Sequence, residues 1–165
     1  MSKIIVCDSR EQNNREVLSY FRAVGQPFLP NTKVDSGDYI YTASKNREDF
    51  DYSTIIDLKA DLVEVAGNIA GTKQQHERFK REIARGKELG CKRFVVLIRE
   101  PLGSLEAVNT WKSPVLKNGT PIVRRSPTAL YKTMVTMAQR YGIEWKFTTR
   151  MGAGQDIIDI LSGRK

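Results

Sequence analysis

The chain has 165 residues, of which 40% are hydrophobic, so it can bury the core of one domain and does not have the composition of a disordered protein. Its 27 Lys and Arg against 19 Asp and Glu give a formal charge of +8 and a pI near 9.6. This charge favours a polyanionic partner, with nucleic acid ahead of an anionic membrane, although a protein that is merely basic remains the plain alternative.

Other features of the sequence disfavour membranes, export and structural zinc. The longest purely apolar stretch, 94–98, is too short to cross a bilayer, and Asp8 and Arg10 stand where a secretory signal needs apolar residues. The two cysteines, Cys7 and Cys91, have no Cys or His partners at metal-ligand spacing. We therefore expect an intracellular protein with free thiols in a reducing compartment and without a membrane association.

Strand-like and helix-like segments alternate along the chain. In chain order we predict strand 3–7, helix 11–24, strands 33–42 and 52–59, helix 61–89 with a break near Gly71, strand 93–99, a surface excursion at 101–125, helix 127–141, strand 143–148 and helix 154–161. Ser126 and Pro127 form an N-cap and first-turn pair that opens the third of these helices. The order predicts one domain over residues 1–165 with an α/β fold, in which helices flank a mixed central sheet.

Residues 54–61, TIIDLKAD, place an aspartate and a lysine on an otherwise apolar strand. Side chains alternate faces along a strand, so Asp57 and Lys59 share one face with Ile55, whereas Ile56 and Leu58 point the other way. Just upstream, Gly37 permits a bend before Asp38, and pairing of the two strands would bring Asp38 opposite Asp57. Two converging carboxylates suit Mg²⁺, and a nearby ammonium group can stabilise a developing negative charge, as phosphodiester hydrolysis requires.

A structural explanation of the same residues remains open. An Asp and a Lys on one strand face can form an exposed pair that contributes a few tenths of a kcal/mol, at roughly the level of other surface pairs. A second carboxylate-x-Lys strand, Glu144-Trp145-Lys146, has no turn-borne Asp shortly upstream, and we interpret it as structural.

Three short motifs carry a family resemblance: Asp8-Ser9-Arg10-Glu11, then Gly37-Asp38-Tyr39, then Asp57-Leu58-Lys59. In this order they resemble the nuclease domain of the XPF family, structure-selective endonucleases of the PD-(D/E)xK superfamily, over nearly the whole chain. The stretch 76–100 resembles the basic helix and the following core strand of that family. Two positions depart from the family pattern, because Asp57 replaces the usual Glu and Leu58 replaces the usual Arg. The role of Asp61 relative to the last Asp of the family motif stays open.

The resemblance implies a restriction-endonuclease-like fold and roles for individual residues. Asp38 and Asp57 would bind the metal, Lys59 would position the attacking water, and Asp8 and Glu11 would add an outer metal ligand or orient metal-bound water. The alternative for the last two is that they are acids favoured by a helix N-terminus. The implied cofactor is Mg²⁺, with Mn²⁺ as an alternative, and no nucleotide cofactor is expected.

Basic residues provide the candidate DNA contacts. Arg10 could bind the scissile phosphate or serve as a counter-ion to the neighbouring acids. Arg78, Arg81 and Arg85 fall at helical spacing on one face, either as a ridge that follows a DNA backbone or as a solvated face paired with intervening glutamates. The excursion adds further candidates, namely Trp111, Lys112, Arg124 and Arg125.

The function implied by the resemblance is Mg²⁺-dependent hydrolysis of DNA at branches or flaps, in replication, recombination or repair. The implied setting is the cytoplasm of a prokaryote or the viral equivalent, or the nucleus in a eukaryote. Family nuclease domains pair as homodimers, and Ile157, Ile158, Ile160 and Leu161 could form such an interface or complete the core. Two other functions remain open: a non-catalytic DNA-binding module of the same fold, and a sequence-specific restriction or nicking nuclease.

Overall fold

A computed structural model describes residues 3–11 and 14–165. The strands are β1 (Ile4–Cys7), β2 (Phe28–Leu29), β3 (Tyr39–Thr42), β4 (Phe50–Lys59), β5 (Arg93–Arg99) and β6 (Ile143–Thr148). The helices are α1 (Arg15–Val24), α2 (Leu62–Ala70), α3 (Lys73–Glu88), α4 (Pro127–Tyr141) and α5 (Ala153–Leu161), with 3₁₀ turns at Arg47–Asp49 and Leu105–Thr110. None of the described helices is both long enough and apolar enough to cross a membrane.

The strands form one six-stranded mixed sheet in the order β2-β1-β3-β4-β5-β6. Strand β3 pairs antiparallel with both β1 and β4. Strands β4 and β5 pair in parallel, as do β5 and β6, and β2 lies parallel to β1. Parallel pairing of β4 with β5 and of β5 with β6 requires the long helical connections that the sequence predicts between them. The predicted mixed α/β fold is therefore confirmed.

The sheet is covered on both faces, so two apolar cores lie on its opposite sides. Ile55 packs in a core that includes residues of α2, α3 and α4, and Ile56 packs in a second core with residues of α1 and α5. This division follows from the alternation of side chains along β4. The face that carries Ile55 is also the face on which Asp57 and Lys59 are predicted to lie.

Side-chain caps fix the helices that flank the site. Asp61 caps α2 by accepting a hydrogen bond from the backbone N–H of Glu64 (2.9 Å). Thr72 and Gln75 form a capping box at the start of α3, so the predicted break of the helical segment at Gly71 is confirmed. Asp61, whose role the sequence left open, is thus a helix cap in this chain.

The structure corrects two predicted boundaries and adds one strand. The first helix begins at Arg15 rather than Glu11, because the N–H of Glu11 turns back to the carbonyl of Asp8 (3.2 Å); Gln12 and Asn13 lie outside the described residues. The predicted strand 33–42 is extended only from Tyr39, because a turn at Gly37 precedes it. The two-residue strand β2 lies between Pro27 and Pro30, where we predict no strand.

Trp111 in the stretch 101–125 and the apolar side chains of the last helix belong to the core. Trp111 is buried against the core, and its indole N–H donates to the Glu100 carboxylate (2.9 Å), so it is not an exposed contact for DNA. The apolar side chains of α5 are buried against the sheet and α1, which makes them core residues within this chain; they are Ile157, Ile158, Ile160 and Leu161.

Candidate functional site

The candidate site lies at one edge of the sheet, where three neighbouring strands bring polar residues together. Cys7, the last residue of β1, pairs with Tyr39, the first residue of β3, and Tyr39 pairs in turn with Ile56 of β4. Asp8 follows Cys7, Asp38 precedes Tyr39 and Asp57 follows Ile56. The three aspartates therefore lie together at the same edge of the sheet. The chain order of the three motifs becomes a spatial cluster because β1 and β3 run antiparallel.

Gly37 permits the close approach that places Asp38. Its φ of 76° is in the left-handed region, and a Cβ there would lie 2.2 Å from Cγ2 of Ile55 and 3.0 Å from the carbonyl oxygen of Ile56. The following residue is then held by backbone hydrogen bonds: the N–H of Asp38 donates to Ile56 O (2.8 Å), and its carbonyl accepts from the N–H of Asp8 (2.8 Å). A glycine is needed at this turn on both conformational and steric grounds.

The carboxylates of Asp38 and Asp57 converge in a buried environment. Oδ2 of Asp38 accepts a hydrogen bond from the N–H of Leu58 (2.7 Å), and its side chain also makes a hydrogen bond with Asp57. Burial raises the pKa of Asp38 well above its usual value, and the charges of Asp57 and Glu11 raise it further. A proton or another cation between the two carboxylates relieves their repulsion.

Lys59 is the cationic partner of this pair. Its Nζ lies 3.2 Å from Oδ2 of Asp57 and 3.8 Å from Oε1 of Glu64, and it sits over the ring of Phe79, 5.4 Å from the centroid. Burial by itself lowers the pKa of Lys59, but the attraction of Asp57, Glu64 and Asp38 outweighs burial and raises it. The amine is therefore charged at neutral pH. The predicted sharing of one strand face by Asp57 and Lys59 is confirmed.

Asp8 and Arg10 form a second polar group beside the carboxylate pair. Asp8 is buried; its Oδ1 accepts from the N–H of Val34 (3.0 Å) and its Oδ2 from Nε of Arg10 (2.8 Å). The Arg10 side chain is 60% exposed, so one edge of the guanidinium remains open to solvent. Glu11 is close enough to raise the pKa of Asp38. The predicted metal role of Asp8 stays a prediction, because its oxygens are already hydrogen-bonded within the chain.

The cluster lines a cavity of about 370 Å³, which also contains residues that sequence reasoning did not select. The predicted residues in its wall are Asp8, Arg10, Asp38, Asp57, Lys59 and Arg78. The additional residues are Glu64, Asn68, Phe79 and Glu82. Of the predicted arginines on α3, Arg78 therefore reaches the cavity, whereas Arg81 and Arg85 lie exposed outside its wall. Arg85 also pairs with Glu88 (3.7 Å).

Glu82 is the most informative of the residues that the sequence did not reveal. Its Oε1 accepts a hydrogen bond from the N–H of Gly37 (2.6 Å), and its backbone carbonyl accepts one from Oγ of Ser36 (3.0 Å). Burial raises the pKa of Glu82, the Gly37 N–H opposes that effect, and the charge of Asp57 adds to it. Glu82 thus ties α3 to the turn before Asp38 and adds a carboxylate to the cavity. Its position beside buried Phe79 and Ile83 on the helix was the available sequence signal.

Leu58, which departs from the family pattern, and Glu144, of the second carboxylate-x-Lys strand, both have structural roles. The side chain of Leu58 is buried on the opposite face of the sheet, among residues that pack against α1 and α5. It is a core residue in this chain and faces away from the carboxylates. Glu144, which belongs to the second carboxylate-x-Lys strand, forms an ion pair with Arg93 (2.7 Å), as expected for a structural residue.

The donor set fits a hard divalent cation with open positions. Within residues 3–11 and 14–165, no group of three or more His, Cys, Asp or Glu side chains is arranged to hold a metal ion. Mg²⁺ does not require such a cage, because it is commonly bound through one or two carboxylates and keeps several waters. The pair of half-buried Asp38 and buried Asp57, with the repulsion that raises the pKa of Asp38, matches that kind of site.

Comparison with protein-family models and with curated proteins finds no match. Among solved structures, the chain is similar to XPF from Aeropyrum pernix in complex with DNA, with a TM-score of 0.62, 18% identity and coverage of 98% of this chain. It is also similar to a second structure of XPF from Aeropyrum pernix, with a TM-score of 0.60, 19% identity and coverage of 96% of this chain. In both cases the match spans 64% of the XPF chain. The chain therefore has an XPF-like fold, in agreement with the fold that its sequence motifs imply.

Proposed function

We propose that this protein is a Mg²⁺-dependent DNA endonuclease that hydrolyses phosphodiester bonds. The observation that carries the proposal is the convergence of Asp38, Asp57 and Lys59 in one cavity at the edge of an XPF-like sheet. In such a group the two carboxylates can hold a metal ion and the ammonium group can stabilise the charge that develops during phosphodiester hydrolysis.

Each residue of the cluster has a role in this proposal. Asp38 and Asp57 would hold the metal, which when bound supplies a Lewis acid and lowers the pKa of a coordinated water. Lys59, charged and held by Asp57 and Glu64, would hold the attacking water or neutralise charge on the phosphate. Asp8 orients Arg10 through Nε, and Arg10 presents its exposed edge to a phosphate oxygen.

The proposed substrate is DNA, and the surface around the cavity supports it. Arg10 and Arg78 line the same cavity as the carboxylates, so two guanidinium groups are in place to contact a scissile phosphate there. The net charge of +8 adds attraction over a longer range. The preference for branched or flap DNA, and action as a homodimer, rest on the family resemblance. The similar XPF structure described as a DNA complex supports DNA as the partner.

The test compares Asp57→Asn with Glu144→Gln. Both changes neutralise a carboxylate in a carboxylate-x-Lys strand, but only Asp57 lies in the cavity, whereas Glu144 pairs with Arg93. Wild-type protein and Glu144→Gln should cut end-labelled branched DNA with Mg²⁺ and should not cut it with EDTA. Asp57→Asn should lose on the order of 10²-fold or more in rate.

Two outcomes would favour the other functions. If the wild-type protein binds DNA but does not cut it with Mg²⁺ or Mn²⁺, it is a non-catalytic DNA-binding module. If it cuts a matched linear duplex as fast as branched DNA, the structure-selective part of the proposal is wrong, and mapping the cut positions decides whether cleavage depends on sequence.

A further inference from the structure

The segment 112–125 forms an ordered basic hairpin. The N–H of Leu116 donates to Thr120 O (2.8 Å), and the N–H of Ile122 donates to Pro114 O (2.8 Å). At its base, the N–H of Val123 donates to Oγ of Ser113 (2.9 Å). The preceding residue, Trp111, is buried and bonded to Glu100, so the hairpin rises from a fixed base.

The charge of this region is not compensated. Residues 107–143 contain six of the 27 Lys and Arg and none of the 19 Asp and Glu, so this stretch supplies six of the eight net positive charges. Four of the six lie in the basic hairpin and are exposed: Lys112, Lys117, Arg124 and Arg125. None of these four is ion-paired with a described residue, in contrast to Lys80 and Arg85 of α3, which pair with glutamates.

The basic hairpin also exposes apolar side chains. Val115, Leu116 and Ile122 are 59%, 50% and 45% exposed, and they are three of the five large apolar residues that are exposed in the described part of the chain. The other two, Val24 and Met151, lie elsewhere. Such a concentration of exposed apolar surface on one segment indicates a contact with a partner. Because the cores of protein interfaces are depleted in lysine, the mixture of lysine, arginine and apolar residues favours a polyanion with apolar faces.

The basic hairpin is separated from the candidate site by the width of one helix. One side of α2 contributes Glu64 and Asn68 to the cavity that holds Asp57. Another side of α2 lines a second cavity of about 290 Å³, whose opposite wall is 122–125 of the hairpin. A helix is about 10 Å wide, which corresponds to about three nucleotides at about 3.4 Å for each nucleotide along a duplex strand.

We propose that the basic hairpin is a second DNA-binding surface, which contacts phosphates about three nucleotides from the scissile one and places apolar side chains against unpaired bases next to a duplex. This inference rests on the proposed function for the position of the scissile phosphate. Arg124 and Arg125 bind the backbone, and Val115 and Leu116 contact the bases. Apolar side chains are used in this way by proteins that hold kinked or unstacked DNA.

The experiment separates charge from apolar contact and binding from cleavage. Binding of labelled branched DNA and of a matched linear duplex is measured by fluorescence anisotropy in EDTA, between about 50 and about 200 mM salt. The charge variant is Arg124→Ala with Arg125→Ala, and the apolar variant is Val115→Ser with Leu116→Ser. The matched control is Lys45→Ala with Lys92→Ala, which removes two exposed charges from the opposite edge of the sheet.

The charge variant should weaken binding to both DNAs. It should also reduce the magnitude of the negative slope of log affinity against log salt by about 1.8. The apolar variant should weaken binding to branched DNA about tenfold, leave duplex binding unchanged and keep the salt slope. The control should reproduce the wild-type difference between the two DNAs. Equal binding of wild type and both hairpin variants would overturn the proposal.

Two further readouts distinguish the remaining outcomes. If the apolar variant converts a dimer into a monomer in sedimentation while DNA binding is unchanged, the basic hairpin is an interface between copies of the chain, and the proposal is wrong. Because the binding assay contains no metal, its result does not depend on cleavage. A protein that does not cut DNA but shows the expected hairpin effects would contradict the proposed function and support this inference.

Discussion

Replacement of Gly37 by alanine tests the turn that positions Asp38. In the native structure, φ at this residue is 76°, and a Cβ would lie 2.2 Å from Cγ2 of Ile55, which is fully buried. Ile55 cannot easily move, because its side chain packs closely against Gly86 of α3. The packing is so close that a Cβ added to Gly86 would lie 3.0 Å from Cδ1 of Ile55. The substitution therefore introduces both backbone strain and a steric conflict.

The two effects can be separated with Gly142→Ala as the control. Gly142 has a similar φ of 68°, but a Cβ there would meet nothing within 4 Å. The left-handed conformation costs alanine about 1–2 kcal/mol at either position, and the conflict with Ile55 adds about 1–3 kcal/mol at Gly37 alone. Gly37→Ala should therefore unfold about 2 kcal/mol more easily than Gly142→Ala, a difference of about 4–8 °C in Tm.

Thermal and urea unfolding of the two variants and the wild type provide the measurement. The rate of DNA cleavage is a second readout. Displacement of Asp38 by about 1 Å in Gly37→Ala should reduce this rate on the order of 10²-fold. Gly142→Ala should cut DNA like the wild type. Equal destabilisation by the two substitutions would show that the space around Gly37 does not constrain the turn, and the steric argument would be wrong.

Two further predictions concern Asp38 and Asp61. Because burial and the charges of Asp57 and Glu11 raise the pKa of Asp38, this carboxyl keeps its proton in the folded chain between about pH 4 and that raised pKa, where it has lost the proton in the unfolded chain. The free energy of unfolding in EDTA should then fall as pH rises through that pKa. Asp38→Asn should reduce this fall without abolishing it, since the pKa of Glu82 is raised as well; an unchanged pH dependence in chemical denaturation would refute the assignment. Asp61→Ala should cost about 1 kcal/mol of stability through loss of the α2 cap, while DNA cleavage stays at the wild-type rate; a loss of cleavage with the fold retained would give Asp61 a catalytic role.

The features that depend on local periodicity could be predicted from the sequence. Alternation along 54–59 placed Asp57 and Lys59 on the face of Ile55, and the structure puts Ile55 and Ile56 in different cores. Gly37 followed by Asp38 indicated a bend, and Gly71 indicated the helix break. In each case the residues that carry the sequence pattern lie within a few positions of the structural feature that they predict.

The residues that the sequence did not reveal depend on long-range packing. Glu82 reaches the N–H of Gly37 across 45 positions, and its membership in a charged helix made a solvated face equally plausible. Trp111 lies in a stretch without a steady period, yet it packs in the core, and Glu100, the residue after β5, accepts its indole N–H. Neither contact follows from local propensity, because both require the relative positions of separate elements.

The closed base of the hairpin has a consequence for engineering. Ser113 and Val123 are hydrogen-bonded partners, so the residues between them enter and leave the domain at almost the same point. Replacement of such a segment by one of another length changes the entropy of loop closure only slowly with length. The tip of the proposed DNA-binding hairpin can therefore be replaced by a segment of another length while the carboxylates and the sheet that holds them stay unchanged.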